Sequence, residues 1–265
     1  MSTCQLRAGD VTAVINPAAG GRLSAVTYGR YDLLARGGPV PWEWGSFVMA
    51  PYAGRVRHGV LLWNGRSHRL PVTNPPHAIH GLVLDRPWEV TDVGPSSIAM
   101  RCRLDERWPW AGQVTQTIAL RPDGLDATVE VHADDDEWPA WCGWHPWFRR
   151  SLTHGDPVRL DFDARGMLRR DAAGIATDEV LPVPPGPWDD CFVDVRWPVT
   201  LEWRRALKLE ITANTDYAVF FTERPASVCA EPQTAPPDAV ALDRFAVVRP
   251  GEPLVAQMSW TFTPA

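Results

Sequence analysis

Val114-Thr115-Gln116-Thr117-Ile118-Ala119-Leu120-Arg121-Pro122-Asp123-Gly124-Leu125-Asp126-Ala127-Thr128-Val129-Glu130-Val131-His132 holds two alternating runs joined through an Asp-Gly step. Val114, Gln116, Ile118 and Leu120 fall on one face of the first run; Leu125, Ala127, Val129 and Val131 do so in the second. A period of two turns one set toward a core and the other toward solvent, and Asp-Gly tolerates the backbone of a tight hairpin. The same grammar recurs along the chain. Asn64-Gly65 marks a hairpin between residues 59–63 and 67–70, and alternation returns at Leu207, Leu209 and Ile211 and at Met258, Trp260 and Phe262. Nearly every run is bounded by Gly, Pro, Asn or Asp, and none keeps a 3.6-residue period over three turns. The expected fold is all-β, a large antiparallel β-sandwich with little helix.

Composition narrows the class further. The 265 residues suit one undivided β domain spanning 1–265, and 45% hydrophobic residues supply a sizeable core. A net charge of −6 argues against a nucleic-acid partner. The acidic run Asp134-Asp135-Asp136-Glu137 lacks the alternating ligands and glycine of a calcium loop and reads as a solvated turn. Five scattered cysteines include no C-x-x-C pair, which disfavours a zinc ribbon or dithiol redox site. The opening Met1-Ser2-Thr3-Cys4-Gln5 has no apolar run, and no stretch is long and apolar enough to span a bilayer. A cytoplasmic protein without a membrane partner is expected, either monomer or homodimer. The 26 prolines cut the chain into short segments. The 14 tryptophans mostly read as core, although indole faces also cover the C–H surface of sugars.

Four segments carry residues suited to chemistry. Trp141-Cys142-Gly143-Trp144-His145-Pro146-Trp147-Phe148 sets one imidazole among aromatic rings, where it serves either as a packed core group or as a proton donor. Ala230-Glu231-Pro232-Gln233-Thr234 ends an apolar run on a carboxylate, an uncommon burial for an acid without a partner. Gly54-Arg55 offers a guanidinium fork for hydroxyls. In Asn74-Pro75-Pro76-His77-Ala78-Ile79-His80-Gly81 two histidines stand three apart, but the prolines forbid a helix that would align them on a metal. The loop Pro182-Val183-Pro184-Pro185-Gly186-Pro187 leads into Trp188-Asp189-Asp190-Cys191-Phe192 and fits a segment that positions functional residues.

Taken in order, Gly54-Arg55, His80-Gly81, Gly143-Trp144-His145-Pro146-Trp147-Phe148, Asp189-Asp190-Cys191-Phe192 and Glu231-Pro232-Gln233-Thr234 resemble the motif series of the aldose 1-epimerase (galactose mutarotase) family. Asn16-Pro17 through Gly20-Gly21-Arg22-Leu23-Ser24 looks like that family's N-terminal hairpin, so the likeness covers nearly the whole chain. It implies a galactose mutarotase-like supersandwich, with Glu231 as catalytic base and His145 as catalytic acid. It further implies that Arg55, His80 and Asp189, or the adjacent Asp190, hold a monosaccharide, with no metal or other cofactor. Gly54 replaces a frequent asparagine and Trp147 a frequent tyrosine, so the shape of the sugar pocket departs from the common pattern.

The implied reaction opens a hemiacetal ring. An anionic Glu231 takes the proton of the anomeric hydroxyl while a protonated His145 donates to the ring oxygen, and the roles reverse on closure. Three rival readings stand beside it. One is a non-catalytic sugar-binding module. Another is an epimerase of an anionic sugar met by Arg57, Arg149 or Arg150. The third is a glycoside hydrolase using Asp189 and Glu231.

Overall fold

The alternating runs at 114–132 form the expected hairpin, Gly112–Arg121 against Gly124–Ala133, in a computed structural model that describes residues 3–38 and 40–265. Met1 and Ser2, which open the stretch read above for a leader, lie outside the described residues, as does Pro39. Arg121 pairs with Gly124, so the two turn residues are Pro122 and Asp123, one position earlier than the Asp-Gly step suggested. The apolar sets meet across the ladder: Val114 faces Val131, Gln116 faces Val129, Ile118 faces Ala127 and Leu120 faces Leu125. All eight side chains are buried. Asn64 and Gly65, both at positive φ, close the second expected hairpin between Val60–Trp63 and Arg66–Arg69.

Among the described residues seventeen strands join in one antiparallel sheet, and there are three further two-stranded sheets. Among the described residues the helical content is limited to two 3₁₀ turns, Pro17–Ala19 and Arg57–Gly59. One strand, Asp189–Trp203, turns the corner that lets so wide a sheet curl on itself. Its first five residues pair with Tyr217–Phe221, and its last five pair with Leu207–Ala213. The curled ends then face one another. Gln116 donates from Nε2 to the Gly21 carbonyl and accepts at Oε1 from the Trp144 indole. The inner faces share one large hydrophobic cluster, and eight of the 14 tryptophans are buried, so the indoles are chiefly core.

Arg22 shows how the core supports what lies above it. Its guanidinium, almost fully buried, donates to the carbonyls of Ala19, Trp44 and Leu84. It also lies 4.0 Å from the Trp44 ring centroid and 5.1 Å from that of Phe47. Phe47 is the cross-strand neighbour of His145, so this buried cation stiffens the platform beneath the imidazole.

Candidate active site

The register of two strands explains how residues 86 positions apart meet. In the pairing of Gly143–Arg149 with Ser227–Gln233, Gly143 faces Gln233 and Trp147 faces Cys229. The position midway between sets His145 opposite Glu231. On the other side of Glu231 stands Val219, and beyond it Cys191; on the other side of His145 stands Phe47. A five-strand row on one face of the sheet thus reads Cys191, Val219, Glu231, His145, Phe47. Pro146 and Pro232 lie beside the pair and lack the N–H that would continue the ladder there. Thr234 ties the strands together above them: its hydroxyl accepts from the Cys142 N–H at 2.9 Å, and its own N–H donates to the Cys142 carbonyl at 2.8 Å.

This face is the floor of a cavity of about 170 Å³. His145 Nε2 is 3.3 Å from Glu231 Oε1, with 6% and 2% of the side chains exposed. The imidazole stacks on Trp147 with ring centroids 5.1 Å apart and planes 11° apart, and on Phe47 at 5.0 Å. The Trp147 indole N–H donates to the Trp42 carbonyl at 2.8 Å, which fixes the stacked ring and anchors the loop at the cavity mouth. His80 meets His145 edge to face at 5.0 Å.

The walls come from elsewhere in the chain. Arg55 belongs to the small sheet in which it pairs with Ile79, and His80 follows directly after that strand. The His80 N–H donates to the Gly54 carbonyl, and His80 itself has φ +60°. Gly81 follows at φ +78°, where a Cβ would sit 2.1 Å from the Ala50 carbonyl oxygen. A side chain at Gly54, where asparagine is frequent, would strike Pro237 at 2.7 Å, so glycine there follows from a close loop. Asp189 Oδ2 stands 3.8 Å from Arg55 Nη2 and 3.2 Å from Arg170 Nη1. Asp190 also lines the cavity, but its carboxylate is held by Arg170 Nε at 2.8 Å and by the Asp189 N–H. Asp189 is therefore the carboxylate that reaches Arg55.

All six residues expected at the site, His145, Glu231, Arg55, His80, Asp189 and Trp147, line this one cavity. The arginines considered for an anionic sugar do not. Arg149 bonds Asp32 and the Leu34 carbonyl, Arg150 bonds the carbonyls of Thr222 and Arg224, and Arg57 pairs with Asp171 and Asp238. His77 is likewise spent elsewhere: Nδ1 accepts from the His58 N–H and Nε2 donates to the Ala173 carbonyl, so it shares no metal with His80. Sequence reasoning gave no role to Gln233, Arg170 or Arg224. Gln233 was legible, because two residues past Glu231 on a strand is the same face. It donates from Nε2 to Glu231 Oε2 at 3.3 Å. Arg170 arrives on a separate hairpin, and no local pattern announces it.

Burial works against the expected charges, an anionic glutamate beside a protonated histidine. Burial pushes the Glu231 carboxyl well above its ordinary range; Asp189 adds to this, while Gln233 and Arg55 oppose it. Burial likewise pushes His145 well below 6.5, helped by His80 and Arg22. Burial thus favours the neutral form of each group. His80 is lowered to about 3 by burial and Arg55 and stays neutral. Nδ1 of His80, Nδ1 of His145 and Oε1 of Gln233 are buried without a protein partner among the described residues. Such atoms are rare in a finished core.

Comparison with known proteins agrees with the fold. The family model described as aldose 1-epimerase matches residues 5–261. A galactose mutarotase-like protein from Clostridium acetobutylicum superposes with a TM-score of 0.87 at 15% identity, covering 98% of this chain and 95% of that one. Galactose 1-epimerase from Lactobacillus acidophilus NCFM does so with a TM-score of 0.81 at 15% identity, covering 100% and 96%. At those identities the likeness establishes the fold, which is the mutarotase-like β architecture expected from the motifs. The uncharacterized protein YihR of Escherichia coli (strain K12) is 25% identical over 173 residues, 61% of this chain; the match spans 55% of that relative's length.

Proposed function

The chain belongs to the aldose 1-epimerase family, and from that footing we propose that it interconverts the α and β anomers of a neutral free aldose by acid–base opening and reclosure of the ring. The observation that carries the reading is the His145–Glu231 pair, 3.3 Å apart on the floor of one cavity. Two adjacent proton-transfer groups suit two oxygens borne by one carbon, the anomeric hydroxyl and the ring oxygen. A binding module needs neither group, and a glycosidase does not need the imidazole.

A single proton shared by the pair is enough for the cycle. When sugar hydroxyls fill the cavity, they and Arg55 favour the carboxylate, and the proton moves from Glu231 to His145 Nε2. Glu231 then takes the proton of the anomeric hydroxyl while His145 gives its own to the ring oxygen. The C1–O5 bond breaks and an open-chain aldehyde forms. Rotation about C1–C2 presents the other carbonyl face; the hydroxyl at C5 attacks, and both protons return. Asp189 and Arg55 grip ring hydroxyls, neutral His80 donates or accepts without adding charge, and Trp147 holds the imidazole plane.

A neutral substrate follows from the charges in the wall. Among the described residues the cavity's three cations each have a carboxylate: Arg55 has Asp189, Arg170 has Asp189 and Asp190, and Arg224 has Glu43 at 2.6 Å. An anionic sugar would have to displace one of these pairs. The five cysteines are all free, which fits a reducing compartment, and among the described residues no helix is long and apolar enough to cross a membrane. One-dimensional NMR of freshly dissolved α-glucose, α-galactose and glucose 6-phosphate tests the proposal. Faster equilibration of a neutral sugar is expected. A phosphorylated substrate preferred over both, or no acceleration of any sugar, overturns it.

A further inference from the structure

Cys229 is a buried nucleophile that the reaction above does not use. It precedes Glu231 by two residues and faces Trp147 across the ladder, so its thiol lies on the same face as the reactive pair, in the neighbouring row. It is fully buried. The ligand atoms of His145, Cys229 and Glu231 all lie within 4.8 Å of one another.

One edge of this cluster has the dimensions of a tetrahedral site. Zinc takes imidazole nitrogen and carboxylate oxygen at about 2.0–2.2 Å and thiolate sulfur at about 2.3 Å. At a tetrahedral angle, nitrogen and oxygen ligands then stand about 3.3–3.4 Å apart, and nitrogen and sulfur about 3.6 Å. The 3.3 Å between His145 Nε2 and Glu231 Oε1 is such an edge, and it is longer than the 2.7–2.9 Å typical of a charge-assisted hydrogen bond. The thiol completes the set: one ligand atom from each of the three residues lies no farther than 4.8 Å from the others, so the sulfur has about 1.2 Å or less to travel. Imidazole, thiolate and carboxylate together select zinc over the hard cations magnesium and calcium.

We propose that His145, Cys229 and Glu231 form a zinc(II) site at the floor of the sugar cavity, and that zinc shuts off anomer exchange by taking both proton-transfer groups. Binding forms metal–nitrogen, metal–sulfur and metal–oxygen bonds and releases two protons to solvent, the one on the thiol and the one shared by the pair. The inhibitory consequence rests on the function proposed above; the binding itself does not.

Two measurements on the purified full chain test the site and keep it separate from that function. Cobalt(II) added to the wild type should give a thiolate-to-cobalt charge-transfer band in the near ultraviolet, absent from Cys229→Ala and Cys229→Ser, and this needs no turnover. In the exchange assay zinc should inhibit the wild type reversibly, with chelator restoring activity and magnesium having no effect. Loss of a partner outside the ligand sphere typically weakens metal affinity about 10–100-fold, so removing a ligand should raise the half-inhibitory zinc concentration at least about 100-fold. Either cysteine variant gives that reading if the other fails to fold. A wild type without the cobalt band, or a folded cysteine variant as sensitive to zinc as the wild type, overturns the proposal.

Discussion

Replacing Glu231 by Gln should lower activity and raise stability together. Glutamine keeps the volume and can still accept the Gln233 amide through its own oxygen, so the fold should survive. One general base contributes a factor of about 10²–10⁴, or roughly 2.7–5.5 kcal/mol of barrier, and exchange should fall by that much. Stability moves the other way. Because burial raises the Glu231 carboxyl well above 4.5, the folded protein retains a proton that the unfolded chain releases once the pH passes 4.5. Relative to a permanently neutral residue, the wild-type fold loses stability from there upward until the folded pKa is reached. The limiting slope is about 1.4 kcal/mol per pH unit. Between pH 5 and pH 7 the variant's advantage in Tm over the wild type should therefore grow with pH. His145, depressed by burial in the wild type, stays buried in the variant and largely cancels from the difference. Exchange measured by NMR, with thermal melts at both pH values, checks the two halves. A variant within tenfold of wild-type exchange refutes Glu231 as base. A Tm advantage that does not grow with pH refutes a buried, protonated carboxyl.

Asp189→Asn removes the carboxylate that reaches both Arg55 and Arg170, and its KM for sugar should rise about 10–100-fold, as for loss of one hydrogen bond to a charged group. Asp190→Asn should change KM less than about threefold, because that carboxylate is held by Arg170 and the Asp189 backbone. The opposite ranking would exchange the two assignments. Gly81→Ala places a methyl 2.1 Å from a backbone oxygen at φ +78° and should cost more than about 2 kcal/mol in urea unfolding. An unchanged midpoint would show that the His80 turn can relax.

Much of this molecule could be read locally. The inward set of the 114–132 hairpin is a matter of period two, and burial follows it residue by residue. The Asp-Gly step misplaced the turn by one position, since the pairing of Arg121 with Gly124 is settled by the ladder and not by the dipeptide. The site residues were found through their motifs. That Arg57, Arg149 and Arg150 stand outside the cavity was not legible, because a side chain's partner depends on the neighbouring strand, which the chain does not name locally.

Turn chemistry, alternation and the absence of helical period determined an all-β chain, and the motif series determined which imidazole and which carboxyl to watch. Tertiary structure alone decided that Gly143 pairs with Gln233 and Trp147 with Cys229, the register that sets His145 against Glu231 and brings a thiol beside them. Period two fixes the face of a strand from within, whereas register between distant strands is fixed by packing across the whole sheet. The charge on the pair was decided there too, because the water excluded by Phe47, Trp147 and the strands around them is a property of the assembled site and of no segment of it.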